Sequence, residues 1–238
     1  MHLEQGNLSA EKEHALKWTA HSIMGGGADT TVCAKYSFFL AMVLYPEVQK
    51  KAQEELDAVV GNDRLPMIND RSQLPYIDAI VKEVLRWSPV APLGIPHRAT
   101  EDDIHDGYFI PKGSIIFPNI WKFLNDEQTY KNPFEFRPER FLASEKQEPE
   151  RDSRDFAFGF GRRTCPGLLL ADTSLFISCA MILSAFNIEK AVENGVPITP
   201  KAEFVDEIVN HPKMFNCSIK PRSVQAISII KSVDFVEP

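Results

Sequence analysis

Apolar residues recur at intervals of three and four in several stretches of this chain, which predicts a mainly helical protein. The first helix is expected from about residue 9 to residue 45, where Pro46 ends it. Ser9 can cap this helix, and Glu11 and Glu13 favour the positive end of its dipole. Such a helix far exceeds the usual length of about 11 or 12 residues and would cross most of a domain.

Three consecutive glycines, Gly25, Gly26 and Gly27, lie in the middle of this predicted helix. Each glycine costs a helix interior about 0.8–1 kcal/mol relative to alanine, so the run costs roughly 2–3 kcal/mol. Two interpretations follow. Either the helix breaks into two helices joined by a loop, or something flat or bulky lies against the backbone and needs the space that the missing side chains leave.

The rest of the chain alternates helical patterns with segments rich in proline and β-branched residues. Further helices are predicted at residues 46–60, about 75–87, 119–124 and about 167–186. Strands are predicted as a hairpin over about 107–118, turning at 111–113, and at 208–209, 215–219 and 224–231. Polar or charged segments without an apolar pattern, at 62–73 and 143–154, predict loops. The expected fold class is therefore mainly α with small β-sheets, and no convincing linker divides the chain.

Composition and charge narrow the function classes. The net charge of −7 argues against a nucleic-acid-binding protein. The four cysteines are far apart and match no zinc spacing, so free thiols in a reduced compartment are expected. No secretory signal is visible in the polar first residues. Asp172 is the one charge in the apolar segment 167–186, which favours a buried helix over a membrane span.

The segment 158–167 contains the strongest candidate chemistry. Glycines on both sides of Cys165 allow a tight loop, and Pro166 starts the apolar helix that follows. A cysteine at a helix N-terminus beside Arg162 and Arg163 favours the thiolate form. Such a thiolate is a nucleophile or a metal ligand, whereas a structural cysteine would be buried and inert. A nucleophile needs a histidine base, and none of the six histidines lies in a recognisable catalytic signature.

The pattern F-x-x-G-x-R-x-C-x-G is filled by Phe158, Gly161, Arg163, Cys165 and Gly167. This pattern is the signature of the cytochrome P450 superfamily, the haem-thiolate monooxygenases, which the chain resembles. Residues 26–31, 83–86 and 138–141 resemble the distal-helix, E-x-x-R and PERF motifs of that family, in the family's order. The resemblance implies a partial cytochrome P450 domain over residues 1–238, from the long distal helix to the C-terminus of the fold.

The resemblance implies that the chain binds haem b, with Cys165 as the axial ligand of the iron. In the family the arginine two residues before this cysteine binds a haem propionate, and here that residue is Arg163. His97 would supply another propionate contact. Phe158 would pack beside the thiolate, and Gly161 would let the loop approach the porphyrin.

On the distal side, the resemblance gives the glycine run a cause. Gly26 and Gly27 would make room for the porphyrin and for O2. Asp29 and Thr30 resemble the acid–alcohol pair of the family, through which protons reach O2.

Glu83 and Arg86 are three residues apart, and periodicity alone predicts an exposed ion pair of little energetic value. The resemblance instead implies a buried structural network beneath the cysteine loop, in which Arg140 joins them. Two mostly apolar segments, 90–95 and 205–209, are candidate substrate contacts and suit a lipophilic substrate.

The implied function is insertion of one oxygen atom from O2 into a lipophilic organic substrate. The electrons would come from NADPH through a flavoprotein (FAD/FMN) cytochrome P450 reductase. The motifs are similar to those of fungal, microsomal members of secondary metabolism, so a full-length form is expected on the cytosolic face of the endoplasmic reticulum membrane, although no anchor is visible in this chain. One alternative is a truncated, non-catalytic chain that cannot retain haem. The other is a haem-thiolate isomerase or dehydratase, against which Asp29 and Thr30 argue.

Overall fold

The computed structural model describes residues 8–145 and 147–232; the other residues of the predicted domain lie outside the described part. The expected fold class, mainly α with small β-sheets, is confirmed. The α-helices are α1 (Ala10–Leu44), α2 (Pro46–Val59), α3 (Pro75–Trp87), α4 (Ile120–Leu124), α5 (Arg154–Ala157), α6 (Leu168–Ala185) and α7 (Val224–Ser232). Short 3-10 helices cover Ile68–Gln73, Pro138–Phe141 and Gly161–Arg163.

Helix α1 runs without a break through its three glycines, so the interpretation of two helices joined by a loop is wrong. The side chain of Ser9 accepts a hydrogen bond from the backbone N–H of Lys12 at 3.3 Å, which caps the first turn. Residues 10–29 of α1 are exposed, and burial begins only at Cys33. The packing of the last third therefore anchors the helix, while the glycine run lies on an open surface.

The main core lies between the last third of α1 and helices α2, α3 and α6. Phe38, Ile80 and Phe176 are fully buried at its centre. Within the described residues, α6 is the one helix long and apolar enough to cross a membrane. It packs in this core instead, and its one charge, Asp172, accepts a hydrogen bond from Arg71 at 2.6 Å.

The strands form four two-stranded antiparallel sheets, β1–β4, β2–β3, β5–β8 and β6–β7. Their bounds are β1 (His97–Arg98), β2 (Asp103–His105), β3 (Tyr108–Ile110), β4 (Ile115–Ile116), β5 (Phe186–Lys190), β6 (Val192–Glu193), β7 (Val196–Pro197) and β8 (Cys217–Pro221). The predicted hairpin over 107–118 is wrong, because β3 pairs with β2 and β4 pairs with β1. Asp106 and Gly107 both have positive φ, and such a two-residue turn is a stronger hairpin signal than the turn expected at 111–113.

Four further predictions need correction. Residues 208–209, predicted as a strand, lie in a bend. Residues 224–231, also predicted as a strand, belong to helix α7. The Ser223 hydroxyl accepts a hydrogen bond from the N–H of Ala226 at 3.0 Å and caps the first turn of this helix. The segment 62–73 ends in a 3-10 helix rather than a loop, since the carboxylate of Asp70 accepts from the N–H of Met67 at 2.8 Å. The predicted strand 215–219 is shifted to Cys217–Pro221.

Candidate functional site

The loop before α6 has a fixed backbone. Gly159 and Gly161 have φ of +76° and +58°, a region that favours glycine, and they turn the chain back on itself. The N–H of Cys165 donates to the carbonyl of Phe158 at 2.8 Å, and the N–H of Leu168 donates to the carbonyl of Cys165 at 3.3 Å. Cys165 is therefore held between the turn and the first residue of α6.

Cys165 differs from the other three cysteines because it is exposed. Cys33 and Cys179 are buried, and Cys217 is half-buried. Burial, with a smaller effect from the charge of Asp29, raises the pKa of Cys33 to about 12. Burial also raises the pKa of Cys179 and of Cys217. Of the four thiols, Cys165 is therefore the one that is accessible as a ligand.

Aromatic side chains pack the cysteine loop against the rest of the protein. Phe158 packs against the main core, so the loop is joined directly to it. Phe160 meets Phe123 of α4 edge-on, with ring centroids 5.9 Å apart, and Phe156 of α5 lies 5.8 Å from the same ring. Arg162 and Arg163 remain exposed beside Cys165. The loop thus presents a thiol and two guanidinium groups on a rigid base.

The segment 90–98 lies next to α4. The N–H of Trp121 donates to the carbonyl of Pro92 at 2.9 Å, and a Cβ at Gly94 would come within 2.6 Å of Pro118. His97 follows on β1 and is exposed, opposite Ile116 of β4. The sheet formed by β1 and β4 therefore exposes the imidazole of His97 next to apolar residues.

The glycine run on α1 leaves an open backbone surface. Apart from the adjoining residues and backbone of α1 itself, no atom of the described residues lies within 4 Å of the position that a Cβ of Gly25, Gly26 or Gly27 would take. Thr30 donates its hydroxyl hydrogen to the carbonyl of Gly26 at 2.7 Å. Because that hydrogen is engaged, the oxygen of Thr30 is left free to accept.

Asp29 contacts a residue that sequence reasoning missed. Its Oδ1 lies 3.1 Å from Nε2 of His211, which is 182 residues away in the chain. The sequence contains no local signal for this pair, because only the fold brings the C-terminal turn onto α1. His211 was visible in the sequence solely as a histidine outside any catalytic signature.

The two candidate substrate segments meet at the same place on α1. The N–H of Asn210 donates to the carbonyl of Val90 at 2.9 Å. The thiol of Cys33 donates to the carbonyl of Asn210 at 3.4 Å. The structure thus joins the beginning of 90–95 to the end of the turn around 205–209, beside Cys33 and one helical turn from Asp29.

Glu83, Arg86 and Arg140 form one fully buried cluster. Arg86 donates to both oxygens of Glu83 at 2.7 and 2.9 Å, and Arg140 donates to Glu83 at 3.2 Å. Both guanidinium groups also donate to the carbonyl of Glu135. The exposed ion pair that periodicity predicted is therefore wrong, because α3 presents this face to the segment 135–140 rather than to solvent.

A fourth charged residue completes this network. Glu150 accepts a hydrogen bond from Arg140 at 2.7 Å, and its side chain is 9% exposed. The prediction of a solvated loop over 143–154 is wrong at this point, since a carboxylate buried beside a guanidinium is ordered. The guanidinium groups of Arg86 and Arg140 thus face two carboxylates, Glu83 and Glu150, and the partly exposed guanidinium of Arg137 also donates to Glu150 at 3.3 Å. The chain leads from Glu150 through α5 into the cysteine loop.

The residues present suit a haem group. Cys165 would supply a thiol for the iron, and Arg163 and His97 would supply hydrogen-bond donors for the haem carboxylates. Large apolar side chains are exposed without a partner in the described structure, and two of them, Leu169 and Leu170, are 78% and 77% exposed directly after the cysteine loop. Such exposure is unusual for residues of this type and suits a flat apolar ligand. No hydrogen bond or ion pair within the described residues joins the cysteine loop to the glycine run.

Comparison with known proteins gives one family. The model of the family described as "Cytochrome P450" matches residues 3–218. Cytochrome P450 monooxygenase 208 of Postia placenta is 56% identical over 98% of this chain and 45% of its own length. Cytochrome P450 monooxygenase claR of Ampulloclitocybe clavipes is 54% identical over 97% of this chain and 43% of its own. Cytochrome P450 monooxygenase ppsD of Aspergillus oryzae is 48% identical over 99% and 46%. The chain thus spans less than half the length of these relatives.

Proposed function

Because the chain belongs to the cytochrome P450 family, we propose that it carries the haem site of a monooxygenase. The reaction is insertion of one oxygen atom from O2 into a lipophilic organic substrate. Relatives with 48–56% identity bear the name monooxygenase, and this supports the proposal. The chain covers about 45% of their length, so activity also depends on what the remaining part of such a protein supplies.

The observation that carries the proposal is the geometry of Cys165. It is the exposed thiol of the four, fixed at the start of an 18-residue helix and flanked by arginines. A helix N-terminus and neighbouring positive charge stabilise a thiolate. Haem held by the Cys165 thiolate would, when bound, supply the chemistry that cleaves the O–O bond.

The other residues of the site bind, orient and supply protons. Arg163 and His97 would hold the two haem propionates, and Gly161, which has no side chain, would let the loop backbone approach the porphyrin. Gly26 and Gly27 leave the opposite helix surface open, as their free Cβ positions indicate. Cleavage of O2 needs protons at one of its oxygen atoms, and Asp29 relays them. The hydroxyl oxygen of Thr30 accepts one hydrogen bond and so orients the group that donates it.

The partners follow from this chemistry. The cofactor is haem b. A flavoprotein cytochrome P450 reductase with FAD and FMN delivers electrons from NADPH. This reductase would dock on the face that carries the exposed Arg162. The apolar segments at 90–95 and 205–209 suit a lipophilic substrate of fungal secondary metabolism. For a protein of the relatives' full length, the proposed location is the cytosolic face of the endoplasmic reticulum membrane.

Haem binding by the purified chain tests the proposal. Added haem, reduced and exposed to CO, should give the red-shifted Soret band that thiolate ligation produces. Cys165→Ser should abolish this band, whereas Cys217→Ser, which removes a half-buried thiol, should retain it. A band that survives in Cys165→Ser would refute the assignment of the ligand.

One observation favours the second candidate, a non-catalytic chain that does not retain haem. The first 20 residues of α1 are exposed, and α6 begins with the exposed Leu169 and Leu170 directly after the cysteine loop. A site this open would lose haem readily. The absence of any Soret band after haem addition, with the helical fold intact by circular dichroism, would favour that candidate. A haem-thiolate isomerase or dehydratase is not favoured, because Asp29 and Thr30 are present.

A further inference from the structure

The contact between Asp29 and His211 joins the acid of the proposed site to a distant part of the fold. Nε2 of His211 and Oδ1 of Asp29 are 3.1 Å apart. A carboxylate oxygen accepts hydrogen bonds, so this contact is a hydrogen bond in the tautomer that carries its hydrogen on Nε2. The imidazole therefore donates to Asp29.

The energy of this pair does not explain why it forms. The side chain of Asp29 is 60% exposed, and an exposed ion pair contributes little. Instead, backbone hydrogen bonds of His211 fix the position of its imidazole ring. The carbonyl of His211 accepts from the N–H of Val205 at 2.9 Å, and the N–H of His211 donates to the carbonyl of Val209 at 3.0 Å. The turn is thus closed on itself immediately beside the ring.

A second set of bonds fixes this turn on α1. The carbonyl of Asn210 accepts from the thiol of Cys33, one helical turn after Asp29, and the N–H of Asn210 donates to Val90. Burial of Cys33, supported by the charge of Asp29, raises the pKa of the thiol to about 12, so Cys33 keeps its hydrogen for this bond. His211 therefore reaches α1 in one defined position, with its own side chain 26% exposed.

We propose that His211 is the positioning residue of Asp29: its Nε2–H fixes one carboxylate oxygen, so that the other is presented toward the open helix surface at Gly26 and Gly27. This inference rests on the proposed monooxygenase function. A free aspartate on an exposed helix samples several rotamers, and one fixed oxygen removes most of that freedom. A proton relay requires its acid within hydrogen-bond reach of the acceptor, so the fixed rotamer favours transfer.

The contact is tested first in the purified 238-residue chain without haem. Nitrogen-15 NMR of the imidazole ring should show hydrogen on Nε2 in the wild type. Asp29→Ala should change the shift of Nε2, because the acceptor is lost. Asp206→Ala removes an exposed carboxylate from the same turn and should leave Nε2 unchanged. A ring that carries its hydrogen on Nδ1 alone, or that ignores Asp29→Ala, would overturn the assignment.

The role is tested in the haem-loaded chain with reductase and NADPH. The readout is hydrogen peroxide released per NADPH consumed, which rises when protons are delivered poorly. His211→Met keeps the side-chain length without a donor and should raise the ratio by about tenfold, a fraction of what a positioned proton donor contributes. His211→Gln restores a hydrogen-bond donor and should bring the ratio of peroxide to NADPH most of the way back to the wild-type value. Equal ratios in the two variants would overturn the role.

A double-mutant cycle separates positioning from general damage to the fold. In the Asp29→Ala background, His211→Met should add no further peroxide, because the two residues act through one bond. Additive effects would overturn the proposal. A chain that takes up no haem would refute the proposed function, yet the NMR measurement would still decide the contact, so the two failures are distinguishable.

Discussion

Glu83 accepts hydrogen bonds from three groups and is the centre of the buried network. Besides Arg86 and Arg140, the backbone N–H of Arg137 donates to it at 2.7 Å. Arg140 in turn reaches Glu150 and the carbonyl of Lys131, both at 2.7 Å. A buried charge is tolerated when its hydrogen-bonding capacity is filled in this way.

Replacement of Arg140 is expected to destabilise the protein strongly. Arg140→Met leaves Glu83 and Glu150 without their shared cation, and breaking a buried pair costs about 3–5 kcal/mol. Arg151→Met is the matched control, because Arg151 pairs with Asp155 at the surface, where such a pair contributes about 1 kcal/mol or less. Urea unfolding measures both changes. Equal, small losses in the two variants would show that the network does not stabilise the fold.

Periodicity could not identify these residues as buried. Glu83 and Arg86 lie off the apolar stripe of α3, and Glu150 belongs to a charged segment that reads as loop. Their burial depends on the segment 135–140 folding back onto α3, a contact between residues more than 50 positions apart. The motif resemblance indicated three members of the network, but Glu150 lies outside every motif.

At the scale of elements, α1 combines a packed end with an open, glycine-containing stretch. Capping at Ser9 and the stop before Pro46 were readable from the sequence, because both are local signals. The pairing of β1 with β4 was not, since it joins His97 with Ile116, 19 positions apart, and Arg98 with Ile115, 17 positions apart. Local turn chemistry at Asp106 and Gly107 decided the neighbouring hairpin instead.

Alanine in the glycine run should separate helix stability from haem binding. Gly27→Ala meets open space, so it should stabilise α1 by about 0.8–1 kcal/mol without haem. With haem, the added methyl should overlap the ligand and weaken binding, at a cost of about 1–3 kcal/mol, as overpacking does. Hydrogen exchange near residue 27 and haem titration measure the two effects.

Gly25→Ala provides the control for this prediction. It should give the same gain in helix stability, because its Cβ also meets open space, with little loss of haem affinity. Unchanged haem affinity in Gly27→Ala would show that this glycine is not needed for space at the cofactor.

At the scale of the whole molecule, a charged network connects the helices of the core. Arg71 joins Asp78 of α3 to Asp172 of α6, and Arg154 of α5 joins Asp172 to Asp152. These contacts tie three helices and the segment before the cysteine loop together. The sequence showed only that charges lie in these segments, because partners 101 positions apart, such as Arg71 and Asp172, are chosen by the fold.

Because of this network, we expect the free energy of unfolding to depend on pH. Burial alone would raise the pKa of Asp78 and of Asp152, but hydrogen bonds from Arg71 and Arg154 respectively, helped by nearby positive charge, hold both below their usual range. The guanidinium of Arg64 and the N–H of Met67 lower the pKa of Asp70 to about 2.

A lowered pKa in the folded state means that the unfolded state binds more protons below its own pKa of about 3.9. The free energy of unfolding should therefore change little between about pH 5 and about pH 8 and fall as the pH drops from about 4 through 2. Glu55 opposes this trend, because burial, partly offset by the N–H groups of Tyr76 and Ile77, raises its pKa. Its single contribution is outweighed by the several lowered carboxyls.

Urea midpoints between pH 7 and pH 2.5 would measure this dependence. Asp78→Asn should lower the midpoint at neutral pH and flatten the acid decline, because its carboxylate then no longer exchanges protons between the two states. Asp63→Asn, which changes an exposed residue of the loop before the 3-10 helix, should keep the wild-type slope. An Asp78→Asn profile that declines as steeply as the wild type would show that acid unfolding begins outside this network, and the connection between α3, α5 and α6 would then not limit the stability of the core.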